Sequence, residues 1–186
     1  MTDPDRLLAL AALMAAVVLL LLAGMALLRP AFAFWPPPET ASWQNRLFRV
    51  LFRIMFYGLV GATALRLWRD GVSISIWQSW LALVLFATGF AVAFAATASL
   101  GWGNAFGAQE GLRTGGIFGY SRNPVYCATW FGLGGWALLA PAPLILATLA
   151  VWGPLYLVAI FLEERWLQAR YGAAFERYRD AVPRFF

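Results

Sequence analysis

The stretch VYCATWFGLGGWALLAPAPLILATLAVWGPLYLVAIFL, residues 125–162, decides the fold. It runs for 38 residues without a charged side chain, and its one break is Ala-Pro-Ala-Pro at 140–143. As a single helix it would rise ~57 Å, against a hydrocarbon core of ~30 Å. Two short spans joined at the prolines fit that thickness. Such a hairpin returns the chain to the membrane face it left, so the polar residues that flank it meet on one side. Those residues are Arg122-Asn123-Pro124 before the hairpin and Glu163-Glu164 after it.

Working toward the N-terminus, the run at 7–28 is apolar throughout and long enough to span. It reads as a retained helix rather than a signal peptide. Its apolar core is too long, and the leader MTDPDR carries more acid than base. Three consecutive prolines, Pro36, Pro37 and Pro38, end any helix in the loop that follows. Further spans are expected at about 47–68 and 76–100. The prediction is an all-α, polytopic membrane protein with about five transmembrane helices. A cytoplasmic loop and a C-terminal amphipathic helix complete it. The composition agrees: 62% hydrophobic and 12% charged, where ordinary globular chains are about a quarter charged. The long apolar runs lack the alternation that an outer-membrane barrel needs.

The same composition removes whole classes of chemistry. The chain has no histidine and a single cysteine, Cys127. An imidazole base, a His-dependent metal site and a multi-thiolate site are therefore excluded. Cys127 is expected to be a small apolar filler. All 14 basic residues are arginine, and no soluble basic module exists to bind nucleic acid. With the C-terminus inside, 11 arginines fall on the cytoplasmic side and only Arg6, Arg66 and Arg69 outside, as the positive-inside rule requires. The expected location is a bacterial inner membrane, with the C-terminus cytoplasmic. Arg46, Arg49 and Arg53 share one helical face. They either snorkel to headgroups or form an electropositive wall for an anionic substrate or lipid head.

Organisation follows from these spans. Residues 1–100 hold three transmembrane helices, and 101–186 form a core of loop (101–124), helical hairpin (125–162) and tail (163–186). The loop carries glycines at 107, 111, 115, 116 and 119, which permit positive backbone angles and close approach to a ligand. Phe118, Tyr120 and Tyr126 offer aromatic faces for a purine or a sulfonium. Glu163 and Glu164 are expected at a helix C-terminus, the wrong end of the macrodipole for anions. They need partners, with Arg122 and a cationic ligand as the two candidates. In the tail, Trp166, Leu167, Tyr171, Phe175 and Tyr178 lie near one face of an amphipathic helix, suited to the interface and to covering the loop as a lid.

Arg122-Asn123-Pro124-x-Tyr126, a helical hairpin, Glu163-Glu164-x-x-Leu167, Tyr171-Gly172, Tyr178 and Val182-Pro183-Arg184 together carry a resemblance. The succession resembles the isoprenylcysteine carboxyl methyltransferases, a broad group of membrane methyltransferases that includes phospholipid N-methyltransferases. The resemblance implies S-adenosylmethionine as methyl donor at the cytoplasmic face. The acceptor, a lipophilic or small carboxylate, thiol or amine, would arrive from the bilayer. Carried over by position, cofactor contacts fall on Leu112, Phe118, Asn123, Pro124, Val125, Tyr126 and Glu163. The catalytic candidates are Glu164 and Arg122. No metal is implied. Two positions depart from the pattern: many members have histidine at the place of Asn123 and glycine at that of Ala128. Two other readings stand beside this one, a non-catalytic membrane scaffold with a methyltransferase-like shell and an NADPH-dependent membrane reductase.

Overall fold

A computed structural model describes residues 3–29, 31–71, 75–105 and 111–185. Proline and serine set the helix starts. Pro4 opens α1 (Pro4–Leu28), Pro124 opens α5 (Pro124–Leu139) and Pro143 opens α6 (Pro143–Tyr171). At a first helical position the missing N–H costs nothing. Ser42 caps α2 (Trp43–Asp70), its hydroxyl accepting from Asn45 N. Ser75 and Gln78 form a reciprocal capping box at the start of α3 (Ile76–Leu100). A single turn, α4 (Trp102–Ala105), and a 3-10 turn at Gly116–Gly119 follow in the connecting loop. Among the described residues there is no strand.

α1, α2, α3 and α6 are long and apolar enough to cross a membrane; α5, with 16 residues, is shorter. α1 packs against α2 and α6, while α3 packs against α5, and α5 neighbours α6. Glycine makes the α3–α5 contact possible. A Cβ at Gly89 would sit 2.3 Å from Gly132 N, and one at Gly135 would sit 2.3 Å from Phe86 N. Gly134, on the same helix, faces open space and contributes nothing to that contact. At the opposite end from the site, Arg69 Nη1 pairs with Asp5 Oδ1 at 2.9 Å and ties the start of α1 to the end of α2.

The hairpin forms at the prolines as expected, but its second helix does not stop at Leu162. α6 continues for more than two turns to Tyr171, and Gly172 (φ 49°) breaks it before α7 (Ala173–Ala181). Glu163 and Glu164 are therefore interior helix residues. The macrodipole argument for their needing partners does not apply, because the helix end lies well beyond them. The tail is two elements rather than one amphipathic helix. α2 likewise starts earlier than the apolar pattern indicated, since Ser42 supplies the cap before the hydrophobic run begins.

Candidate functional site

The hairpin brings Arg122-Asn123 and Glu164 together, and the C-terminal tail closes over both. Arg122 Nε donates to Glu164 Oε1 at 3.1 Å, in a pair whose side chains are 8% and 10% exposed. Asn123 Nδ2 donates to the same oxygen at 3.2 Å, and Arg184 reaches Glu164 Oε2 through Nε (3.0 Å) and Nη2 (2.7 Å). The tail backbone is held as firmly. Arg122 Nη1 donates to the carbonyls of Arg179 and Val182, Arg122 N to that of Pro183, and Ser121 Oγ and Asn123 Nδ2 to that of Arg184. The Glu164 pairing holds the Arg184 guanidinium above its ordinary basicity. Both oxygens of Glu164, with Nε and Nη1 of Arg122, fasten residues 179–184 to the start of α5.

Beside this fastening lies a cavity of about 350 Å³. The sequence-derived cofactor contacts and catalytic candidates all line it: Leu112, Phe118, Arg122, Asn123, Pro124, Val125, Tyr126, Glu163 and Glu164. Glu163 is the neighbour of Glu164 in sequence but turns to a different environment. Its Oε1 accepts from Trp35 Nε1 at 2.8 Å and from the Tyr126 hydroxyl. Among the described residues it has no cationic partner. Trp35, stacked on Phe48 at 4.2 Å, and Tyr126, edge-on to Tyr156 at 4.7 Å, set the carboxylate among aromatic rings. A site that combines an uncompensated carboxylate with aromatic faces suits a cationic ligand.

The tail roofs this cavity. Trp166, Leu167, Tyr171, Phe175 and Tyr178 all line it, and Phe175 is 1% exposed. Leu167, Tyr171, Phe175 and Tyr178 pack in one cluster with Phe118. This packing is that of a cover over the cavity. The Tyr178 hydroxyl donates to Phe118 O at 2.8 Å, and burial pushes its ionisation up to about 12. Tyr120 is 79% exposed and faces away from the cavity. Of the loop glycines, Gly111 and Gly116 have positive φ, whereas Gly107 lies outside the described residues. Cys127 is a buried filler, with Sγ 4.0 Å from Ser121 Oγ.

A larger, mainly apolar groove of about 960 Å³ opens between α2 and α3. It shares Phe48, Phe52, Thr97, Trp102, Val125 and Tyr156 with the first cavity, so the two meet at those side chains. Trp35 is the site residue that sequence reasoning missed. It sits 128 positions from Glu163, in a loop whose prolines gave no sign of chemistry.

No curated protein and no solved structure matches the chain. The sequence model of the phospholipid methyltransferase family matches residues 77–174, from the first turn of α3 to the start of α7. That span includes the loop, the hairpin and both glutamates, and it covers just over half of the chain. With helices long enough to span a bilayer around it, the chain belongs to the phospholipid methyltransferase family, a family of membrane methyltransferases.

Proposed function

We propose that the protein is an S-adenosylmethionine-dependent methyltransferase of the inner membrane. In this reading the cavity beneath the tail takes the cofactor, and the α2–α3 groove admits the acceptor from the bilayer. The observation that carries it is Glu163: a carboxylate among aromatic rings, hydrogen-bonded by Trp35 and Tyr126 but without a countercharge among the described residues. A ligand bearing ammonium and sulfonium charges supplies what that environment lacks. The arginine distribution supports a cytoplasmic C-terminus, where a soluble cofactor is available.

When bound, the cofactor supplies an electrophilic methyl group on a sulfonium. The chain's own residues then have three tasks. Glu163, oriented by Trp35 and Tyr126, holds positive charge at the cavity wall. Phe118, Leu167, Phe175 and Tyr178 exclude water above it. Rigid packing of α3 on α5 fixes the distance between cavity and groove, because methyl transfer gains most from alignment at near-contact distance. We assign Arg122 and Glu164, the two catalytic candidates, to holding the lid: both oxygens of Glu164, and Nε and Nη1 of Arg122, are engaged with each other and with the tail. We read Asn123 in the same way, since its amide donates to Glu164 and to Arg184 O.

Isothermal titration of the detergent-solubilised protein with S-adenosylhomocysteine tests the reading. Micromolar binding that falls about 10–100-fold in Glu163→Ala, the loss expected for a charge-assisted contact, is the supporting result. Binding of NADPH in its place, or wild-type affinity in the variant, sinks it.

A further inference from the structure

α2 and α3 are consecutive in the chain yet have no extended contact, and the groove lies between them. Its walls are rings: Phe52 and Phe56 on α2, Phe86 and Phe90 on α3, with the buried Trp136 and Trp152 between them. Phe86 and Phe56 meet Trp136 edge-on at 82° and 88°, and Phe52 meets Trp152 at 90°. A slot of this kind takes a flat ring, whose own faces and edges continue the pattern. The polar features sit at the passage to the proposed cofactor cavity, where Tyr156 lines both spaces. Trp152 Nε1 is buried without a hydrogen-bond partner, and its polar neighbour is the Tyr156 phenol. That phenol oxygen is drawn toward the indole, which leaves the phenol proton for an acceptor that no described residue supplies. Arg49 and Arg53, one helical turn apart, are the charged residues of the groove, and no carboxylate lines it.

We propose that this groove binds a lipophilic phenol as methyl acceptor, with its ring in the slot and its oxygen at Tyr156. The proposal rests on the methyltransferase reading and names its substrate class. An ammonium group offers only donors where a donor already waits, and the arginines repel it. A fatty carboxylate answers the arginines but makes no use of the ring slot. An alkanol needs a base, and the groove has none in a chain without histidine or lysine. A phenol ionises unaided at about pH 10, and a nearby guanidinium favours the phenolate further. Its proton leaves to water at the arginine-lined mouth of the groove. The phenolate oxygen, held by the Tyr156 hydroxyl, then attacks the methyl carbon of adenosylmethionine. The new bond is O–CH₃, the C–S bond breaks, and its electron pair stays on sulfur as a neutral thioether. The product is a neutral aryl ether, which the arginines no longer hold.

The test is a set of binding titrations in neutral detergent with para-dodecylphenol, para-dodecylaniline, hexadecanoate and hexadecanol. The phenol is expected to bind about tenfold tighter than each of the others, as for a charge-assisted contact. Y156F, which keeps the ring, should remove the margin over the aniline. F56L, which keeps the bulk, should remove the margin over hexadecanol. Unchanged unfolding midpoints certify both variants as folded. Should either fail to fold, R49Q/R53Q gives a second reading. It should abolish the phenolate absorbance that the ligand bound to wild type shows at about pH 8, below its free ionisation. Tightest binding of the aniline, the carboxylate or the alcohol overturns the proposal, as does a phenol margin that survives either ring variant or a phenolate absorbance that survives R49Q/R53Q. A wild-type protein that prefers the phenol but fails to bind S-adenosylhomocysteine retains the groove assignment and removes the cofactor reading.

Discussion

Glu163 and Glu164 are adjacent on α6, yet their carboxylates serve separate networks: Glu164 holds Arg122 and Arg184, while Glu163 accepts from Trp35 and Tyr126. Consecutive helix positions point about 100° apart, which is enough to send one side chain to the tail and the other to the aromatic cavity.

Removing Glu164 leaves Arg122 buried without its counterion. Glu164→Ala is expected to cost about 3–5 kcal/mol, the range for breaking a buried pair. Thermal unfolding in detergent should show a lower midpoint, and the tail arginines should become accessible to trypsin. Unchanged stability would mean that the fastening is not formed in solution.

Glu163→Gln separates charge from shape. It preserves volume and most hydrogen bonding, so the unfolding midpoint should stay close to wild type. Binding of S-adenosylhomocysteine should weaken by about tenfold. A midpoint that drops as far as in Glu164→Ala would show that Glu163 is structural too.

The α3–α5 contact makes a paired prediction. Gly135→Ala places a Cβ 2.3 Å from the Phe86 backbone and should prevent close packing, seen as loss of monodisperse protein in size-exclusion chromatography. Gly134→Ala meets nothing within 4 Å and should behave as wild type. Equal behaviour of the two variants would contradict the packing.

Tyr178 gives the pH dependence. Its phenol is raised from an ordinary value of 10.0 to about 12, chiefly by burial, with Arg122 opposing and Glu164 adding to the shift. A raised folded-state value favours the protonated form. The stabilisation is therefore complete below pH 10 and lost as pH climbs toward 12. The phenolate absorbance difference between wild type and Tyr178→Phe should show one group titrating near the top of that window. Titration near 10 would mean that the lid is open.

Much of the fold and of the site is legible in the order of residues alone. The apolar run at 125–162 exceeds the bilayer thickness, and its prolines admit only a hairpin. That geometry requires Arg122-Asn123 and Glu163-Glu164 to share a face. Their order and spacing are enough to carry the family resemblance. Trp35 is not legible in this way, because a loop tryptophan between prolines has no periodicity to interpret and its partner lies far along the chain. The end of α6 is misplaced by the apolar pattern because hydrophobicity stops at Leu162 while helix propensity does not: Glu, Arg, Leu, Gln and Ala carry the helix on to Gly172.

The sequence by itself determined the helices, their membrane hairpin and the set of polar residues at its base, since length, proline and charge act locally. Only the tertiary structure decided which glutamate pairs with arginine and which sits among aromatic rings, and that the α2–α3 groove opens beside Arg49 and Arg53. Those outcomes depend on which side chains distant segments bring within hydrogen-bonding range, and no local pattern encodes that.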